Sequence, residues 1–322
     1  MIRETLYFFP LRPSLLDSSR MRFCPSFKNM YIRYISSIFA ILLSFLLFAC
    51  TTATTQQPPA TNINSSQISA KKIVALSSLA ADIISQLDKT TLVGITGSKL
   101  FKDNPQFQKL PRVSEGQNPP NLEKIVALKP DLVIGAEGFS NQTTDKLKQL
   151  GIPIYLTKVN NWESLQELTK TLAQSIDADP QALLNRYQTF LPDKENQTLS
   201  TLVLVSRQPI LAPNKNSWAG DLLAKFPTRN LAADLQANSP IGGYVTLSAE
   251  KILQENPDVI IVVNSPQQTD AALLDDFKKE AFWKELKATK NNRVYVFDYY
   301  GLVNPGSIDA IEKACKQLKQ IL

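Results

Sequence analysis

The chain has 322 residues, 43% of them hydrophobic, with 35 Lys and Arg against 29 Asp and Glu and no histidine. That composition is globular, and the missing imidazoles exclude Ser-His-Asp and Cys-His nucleophiles, His-ligated zinc and His-held haem. Cys24, Cys50 and Cys315 are too widely spaced for a disulfide framework or a CxxC metal site.

At the amino end, Ile35 to Ala49 is an uncharged tract of Ile, Leu, Phe, Ala and Ser that follows Arg22, Lys28 and Arg33. A spanning helix needs roughly 20 apolar residues, so this shorter tract behind basic residues reads as a secretion signal. Residues 1–29 are long and aromatic for a leader, and a start at Met21 or Met30 would give one of ordinary length. The tract ends in Leu47-Phe48-Ala49-Cys50, which resembles the lipobox of bacterial lipoproteins, and that resemblance implies cleavage before Cys50 and lipid on its sulfur and amino group. Cleavage there removes Arg3, Arg12, Arg20, Arg22, Lys28 and Arg33 with Glu4 and Asp17, taking the net charge from +6 to +2. The basic balance thus belongs to the leader, and no nucleic-acid partner is expected.

Thr51 to Ala70 has no charge and too little apolar matter for a core, so it reads as a tether from Cys50. Extended, it would span on the order of 70 Å. From Lys71 onward, β-branched runs alternate with helix-length segments. Strands are predicted at Lys71–Leu76, Thr91–Ile95, Asp131–Gly135 and Pro153–Leu156, then at Thr201–Val205, Pro209–Ala212, Val259–Val263 and Arg293–Phe297. This alternation predicts parallel sheets with helices packed on them. Helices are predicted at Trp162–Ile176, at Pro180–Phe190 with Asp179-Pro180 as its start signal and Pro192 beyond it, and at Ser307–Leu322, where Cys315 falls on the apolar face.

Asn121 to Ile134 and Ser248 to Ile261 match at a constant offset of 127, pairing Glu123 with Glu250, Ile125 with Ile252 and Pro130 with Pro257. Each copy reads as an N-cap, an acidic first turn, a helix stopped by proline and a buried strand. The domains follow: a signal at 1–49, the lipidated Cys50 and tether at 50–70, one lobe at 71–160, connecting helices at 161–198 and a second lobe at 199–322.

Lys71 to Leu76, Leu92 to Ile95, Asn121 to Ile134, Leu150 to Pro153, Ser248 to Ile261 and Phe282 to Ala288 running into Asn292 to Phe297 resemble the class III periplasmic solute-binding proteins of ABC importers, the group that takes ferric siderophores, cobalamin and haem. The resemblance covers nearly all of residues 70–322. It implies an α/β fold of two Rossmann-like lobes with parallel sheets joined by a long connecting helix, ligand in the cleft between them, and a periplasmic, lipid-anchored location. It implies an ABC permease dimer with its ATPase subunits as partner, docked through Glu123 and Glu250, and no resident cofactor. The chain departs from the family at Ser77 to Asp82, where a Pro and a Glu are common, and at Phe226 to Asn230, where Gly-Gly-x-Asn is common.

Ligands of parallel α/β sheets sit beyond the carboxyl ends of the strands. That rule nominates Lys99, Phe101, Glu137, Phe139, Lys158 and Trp162 from the first lobe. From the second it nominates Arg207, Lys215, Trp218, Arg229, Tyr244, Tyr299 and Tyr300. Arg207, Arg229 and Trp218 would grip an anionic ferric siderophore, which is placed ahead of cobalamin and haem. An enzyme lacks support, with no GxSxG, HExxH or phosphate loop. A non-transport scaffold or sensor lipoprotein is the remaining alternative.

Overall fold

A computed structural model describes residues 69–115, 118–193, 199–236, 241–264 and 269–322. The apolar tract, Cys50 and nearly all of the tether lie outside these residues. Among those described, no helix is long and apolar enough to cross a membrane.

The first half supplies strands β1 (Ile73–Ala75), β2 (Leu92–Ile95), β3 (Leu132–Ala136) and β4 (Ile154–Thr157), with helices α1 (Ser78–Leu87), α2 (Pro105–Gln108), α3 (Leu122–Ala127) and α4 (Asn141–Gln149) between them. Two helices follow, α5 (Trp162–Ser175) and α6 (Gln181–Phe190). The second half supplies β5 (Leu199–Leu204), β6 (Ser206–Arg207), β7 (Ile210–Pro213), β8 (Thr228–Asn230), β9 (Tyr244–Thr246), β10 (Val259–Val263) and β11 (Val294–Phe297). Its helices are α7 (Trp218–Leu223), α8 (Ala249–Glu255), α9 (Asp270–Lys279), α10 (Ala281–Lys284), α11 (Lys287–Lys290), α12 (Tyr299–Leu302) and α13 (Ile308–Ile321).

The duplication read from the sequence is a duplication of sheets. One sheet runs β2-β1-β3-β4 and another β8-β5-β10-β11, with every neighbouring pair parallel. Side chains alternate across each sheet, as strand geometry requires. Ile73, Ala75, Ile134, Val203, Val259 and Ile261 face one core that also takes in α5, α6, α7 and α13, whereas Val74 and Val133, or Leu202, Leu204, Ile260 and Val262, face smaller outer clusters. The main core therefore runs from one sheet to the other.

Three expectations are corrected. The Pro209–Ala212 strand joins no parallel sheet: β7 lies between β6 and β9 in an antiparallel sheet of three. The link between lobes is the pair of helices read from the residues and not the one long helix that the resemblance implies, broken where Asp177 takes φ 58 and Pro180 precedes the first turn of α6. Helix α6 ends at Phe190, with Leu191 held extended ahead of Pro192 as a pre-proline residue is. Ala70, assigned to the tether, is buried and its N–H donates to Ser175 O at 2.8 Å. Cys315 sits in the core as its place on α13 foretold, and burial pushes its thiol up to about 12.

A second internal repeat shows only in the contacts. Ser78-Leu-Ala-Ala-Asp82 on α1 and Ser217-Trp-Ala-Gly-Asp221, which includes the start of α7, share one pattern. Asp82 Oδ2 accepts from Ile308 N–H, the first of α13, at 2.7 Å, and Asp221 Oδ2 accepts from Trp162 N–H, the first of α5, at 2.7 Å. An opening helix of each half thus caps the helix that leaves the other half, satisfying an orphan donor at its positive end. Burial raises the Asp82 carboxyl above its ordinary value, against the lowering effect of the Ile308 and Gln86 hydrogen bonds. The folded chain then holds that proton more tightly than the unfolded chain, so this group's contribution to stability falls as pH rises from about 3.8 through its raised folded value. Asp82→Asn keeps an acceptor and should flatten that slope in urea titrations from pH 4 to 7. Asp82→Ala strands a buried N–H and should lose about 1–3 kcal/mol at every pH. An Asn variant with the parental slope would place the effect on another carboxyl.

Candidate functional site

Segments at the carboxyl ends of β2 in the first sheet and of β5, β10 and β11 in the second meet at a cavity of about 960 Å³. Its first-half wall is the segment after β2, from Gly97 through Phe107. Its second-half wall is made by Val205 after β5, Val263 and Asn264 at the end of β10, and Asp298 to Tyr300 after β11, with the start of α13 closing one side. Two features seat the wall locally. Ser98 caps the 3-10 turn Lys99–Phe101, and the buried Phe101 packs on Phe107 with ring centroids 4.2 Å apart, which fixes Lys99 and Leu100 above them. On the facing side, Gly306 has φ +67, and a Cβ there would lie 2.5 Å from Tyr300 Cδ1 and 2.9 Å from Leu100 Cδ1. Only glycine lets these two side chains close on that point from opposite halves.

Three tyrosines cluster on the second half. Tyr299 is 44% exposed, lines the cavity and meets Tyr300 edge-on at 5.4 Å. Tyr244, on β9, is near enough to Tyr299 to be affected by it. Burial first and Tyr299 second push its phenol up to about 12. Asn264 Oδ1 is buried with no partner among the described residues, an acceptor left for a donor group in the cavity. The charged lining runs to four carboxylates, Asp82, Asp103, Asp298 and Asp309, against the ammonium groups of Lys99 and Lys313. Lys313 is engaged by Asp298 at 2.6 Å, and Asp309 by Arg186 at 2.7 Å.

Of the residues nominated from sequence, Lys99, Phe101, Tyr299 and Tyr300 line this cavity, and Tyr244 is close enough to Tyr299 to be affected by it. The others do not line it. Arg207 turns to α9 and the loop after it, 3.2 Å from Asp276 and 3.2 Å from Glu280, with its guanidinium 5.5 Å over the Phe277 ring. Arg229 lies on the edge strand β8, exposed and 3.7 Å from Glu255, and Lys215 pairs with Asp234 at 2.8 Å. Trp162 and Trp218 are stacked inside the main core at 6.1 Å, where a buried indole has no face to offer a ligand. Phe139 is 71% exposed. Lys158 pairs loosely with Glu137 at 3.7 Å and borders a separate concavity of about 460 Å³ beside α5. Asn264 was missed, although it directly follows the buried run Val259–Val263 and the same carboxyl-end rule would have found it.

The docking candidates are surface groups. Glu123 and Glu250 are each the second residue of a short helix, exposed, behind N-caps Asn121 and Ser248 that accept from Lys124 and Lys251 N–H at 2.9 and 3.2 Å. The Glu250 carboxyl is held below its usual range by its own backbone N–H and the Ser248 hydroxyl.

The family described as "Periplasmic binding protein" matches residues 73–300, and the chain belongs to that family. It is 28% identical to the "Uncharacterized ABC transporter substrate-binding lipoprotein YvrC" of Bacillus subtilis over 71% of this chain and 73% of that one. It is 27% identical to a Vibrio cholerae "Vitamin B12-binding protein" over 67% of this chain and 77% of that one. Among solved structures, a possible iron-binding periplasmic solute-binding protein of Staphylococcus epidermidis superposes with a TM-score of 0.66 at 19% identity, covering 78% of this chain and 98% of the other, which is a likeness of fold.

Proposed function

We propose that this member of the periplasmic binding protein family captures an organic metal chelate in the cleft between its lobes and delivers it to an ABC permease with its ATPase subunits. The observation that carries the reading is the cavity of about 960 Å³ that both halves wall at the carboxyl ends of their strands. Relatives named for substrate binding and vitamin B12 binding support it.

Within that reading the cargo is an iron chelate, and the charges of the lining favour one kind. The grip on an anionic chelate rested on Arg207 and Arg229, and both guanidinium groups are answered by carboxylates away from the cavity. Of the four lining carboxylates, Asp298 is answered by Lys313 and Asp309 by Arg186, so the lining holds no excess of positive charge to grip an anion, which favours a ferric siderophore without net negative charge. Cobalamin is the second reading, favoured by the apolar and aromatic faces of Leu100, Tyr299 and Tyr300. Haem stays third, because the chain has no histidine and an axial ligand from the lining would have to be Tyr299 or Tyr300.

Thermal unfolding of the purified protein with a neutral ferric hydroxamate, an anionic ferric chelate and cyanocobalamin tests this. Cargo at about 100 times its Kd adds about 2.7 kcal/mol to stability. The neutral hydroxamate should raise the midpoint, and Tyr299→Ala should weaken its binding about tenfold. Stabilisation by the anionic chelate alone would restore a basic grip, and none by any of the three would favour the scaffold or sensor alternative.

The same proposal places the mature chain at the cell envelope, anchored through lipid on Cys50. Labelled palmitate should mark the wild type in cells, and label retained by Cys50→Ala would remove the anchor from that cysteine.

A further inference from the structure

The duplicated helices α3 and α8 agree beyond their glutamates. Taken at the offset of 127, Glu123 and Glu250 are exposed, Ile125 and Ile252 are buried, and Pro130 and Pro257 are buried. Lys129 and Asn256 both adopt the left-handed backbone, with φ 48 and 42. At the fifth helical position after the cap the two copies also share something that folding does not call for. Val126 is 38% exposed and Leu253 is 46% exposed, and these are equivalent residues. Each lies three residues after its glutamate, so acid and apolar side chain share one outward helix face, one turn apart.

A single exposed valine or leucine is ordinary on a protein surface. The same exposure at the same place in both copies, beside the same acid, is a repeated surface unit. Each unit precedes the equivalent strand of an equivalent sheet, β3 in β2-β1-β3-β4 and β10 in β8-β5-β10-β11, so the relation that carries one sheet onto the other carries one unit onto the other. The flanking charges are not duplicated. Glu255 pairs with Lys251 at 2.8 Å and with Arg229 at 3.7 Å, whereas Leu128 occupies its place in the first copy and leaves Lys124 without that acid. What the copies hold in common on this surface is the glutamate and its apolar neighbour, with Lys124 and Lys251 next to the acid.

We propose that Glu123 with Val126, and Glu250 with Leu253, form two equivalent docking pads, each fitting a permease half that offers a cation and, one helical turn away, an apolar socket. This rests on the proposed delivery to a two-fold permease and adds to it a second contact on each lobe. The acids would steer the encounter and set its register, and the apolar residues, desolvated on docking, would slow dissociation.

Photocrosslinking in cells tests the pads without knowledge of the cargo. A benzoylphenylalanine is placed at 126, at 253 or, as an exposed control outside the pads, at Leu150, which is 58% exposed. Crosslinks from 126 and from 253 to a multispanning ABC permease identified by mass spectrometry, with none from 150, are the expected result. Val126→Ser with Leu253→Ser should lower the yield of complex, trapped from the carboxyl neighbours, about tenfold or more. If neither 126 nor 253 reaches the permease while charge reversal at Glu123 and Glu250 does abolish uptake, the apolar contacts are overturned and glutamate docking stands. Crosslinks to lipid alone overturn the pads as well. Uptake that survives the charge reversal sinks the docking reading itself.

Discussion

Reversing the charge at both positions, Glu123→Arg with Glu250→Arg, abolishes cargo uptake by cells while the purified protein folds and binds its chelate as before. Both carboxylates are fully at the surface of short helices, and neither lines the cavity. Loss of the acidic first turn removes a favourable interaction with the helix dipole, which at such exposure is a small effect on stability. A docking role predicts a different scale. Two like charges set against cationic sites would turn attraction into repulsion at both contacts, slowing association and weakening the complex together. The measurements are initial uptake of whichever labelled chelate stabilises the purified protein, alongside its melting midpoint and Kd. Wild-type uptake by the double variant would reduce the glutamates to helix caps. Loss of uptake together with loss of chelate binding would assign the defect to folding and leave docking unsupported.

The parts of this fold legible in the sequence are those whose physics is local. Val259–Val263 is a run of β-branched residues buried on both faces, and the structure returns it residue for residue. Asn121, Glu123 and Pro130 announce the start and stop of α3 within ten residues. The strands that escaped, Ser206–Arg207, Thr228–Asn230 and Tyr244–Thr246, are two or three residues long, partly exposed and rich in polar side chains, and the last two are strands only through pairing with partners about 30 residues away. The cleft divides the same way. The carboxyl-end rule located the loops that hold Lys99 and Tyr299, because it follows from chain direction in a parallel sheet. It could not show that Arg207 is claimed by Asp276 and Glu280, some 70 residues further on. Nor does spacing reveal that Asp82 and Asp221 each reach the first N–H of a helix from the other half. An apolar or charged residue after a strand is a candidate for the cleft only until its long-range partner is known.

Trp218 carries the sharpest form of that distinction, and Trp218→Ala should lose about 3–5 kcal/mol of stability, the scale for removing a large aromatic from a packed core. The indole is 3% exposed, stacks on Trp162 with an interplanar angle of 19°, and donates from Nε1 to Gly301 O at 2.9 Å. That carbonyl belongs to the broken turn after β11, where Gly301 takes φ +93 and a Cβ would lie 2.1 Å from Ala310 O. Its close approach to α13 limits how far the turn can move to fill the space left by the indole. The unfolding midpoint should fall on the order of 10 °C. Trp218→Phe keeps most of the volume but leaves Gly301 O without its donor, so it should fall between the alanine variant and the parent. A residue that met cargo directly would show the opposite pattern, with the melting midpoint retained and chelate affinity lost. Equilibrium unfolding in urea and titration of the folded fraction separate the two, and an unchanged midpoint in Trp218→Ala would return this tryptophan to the cleft.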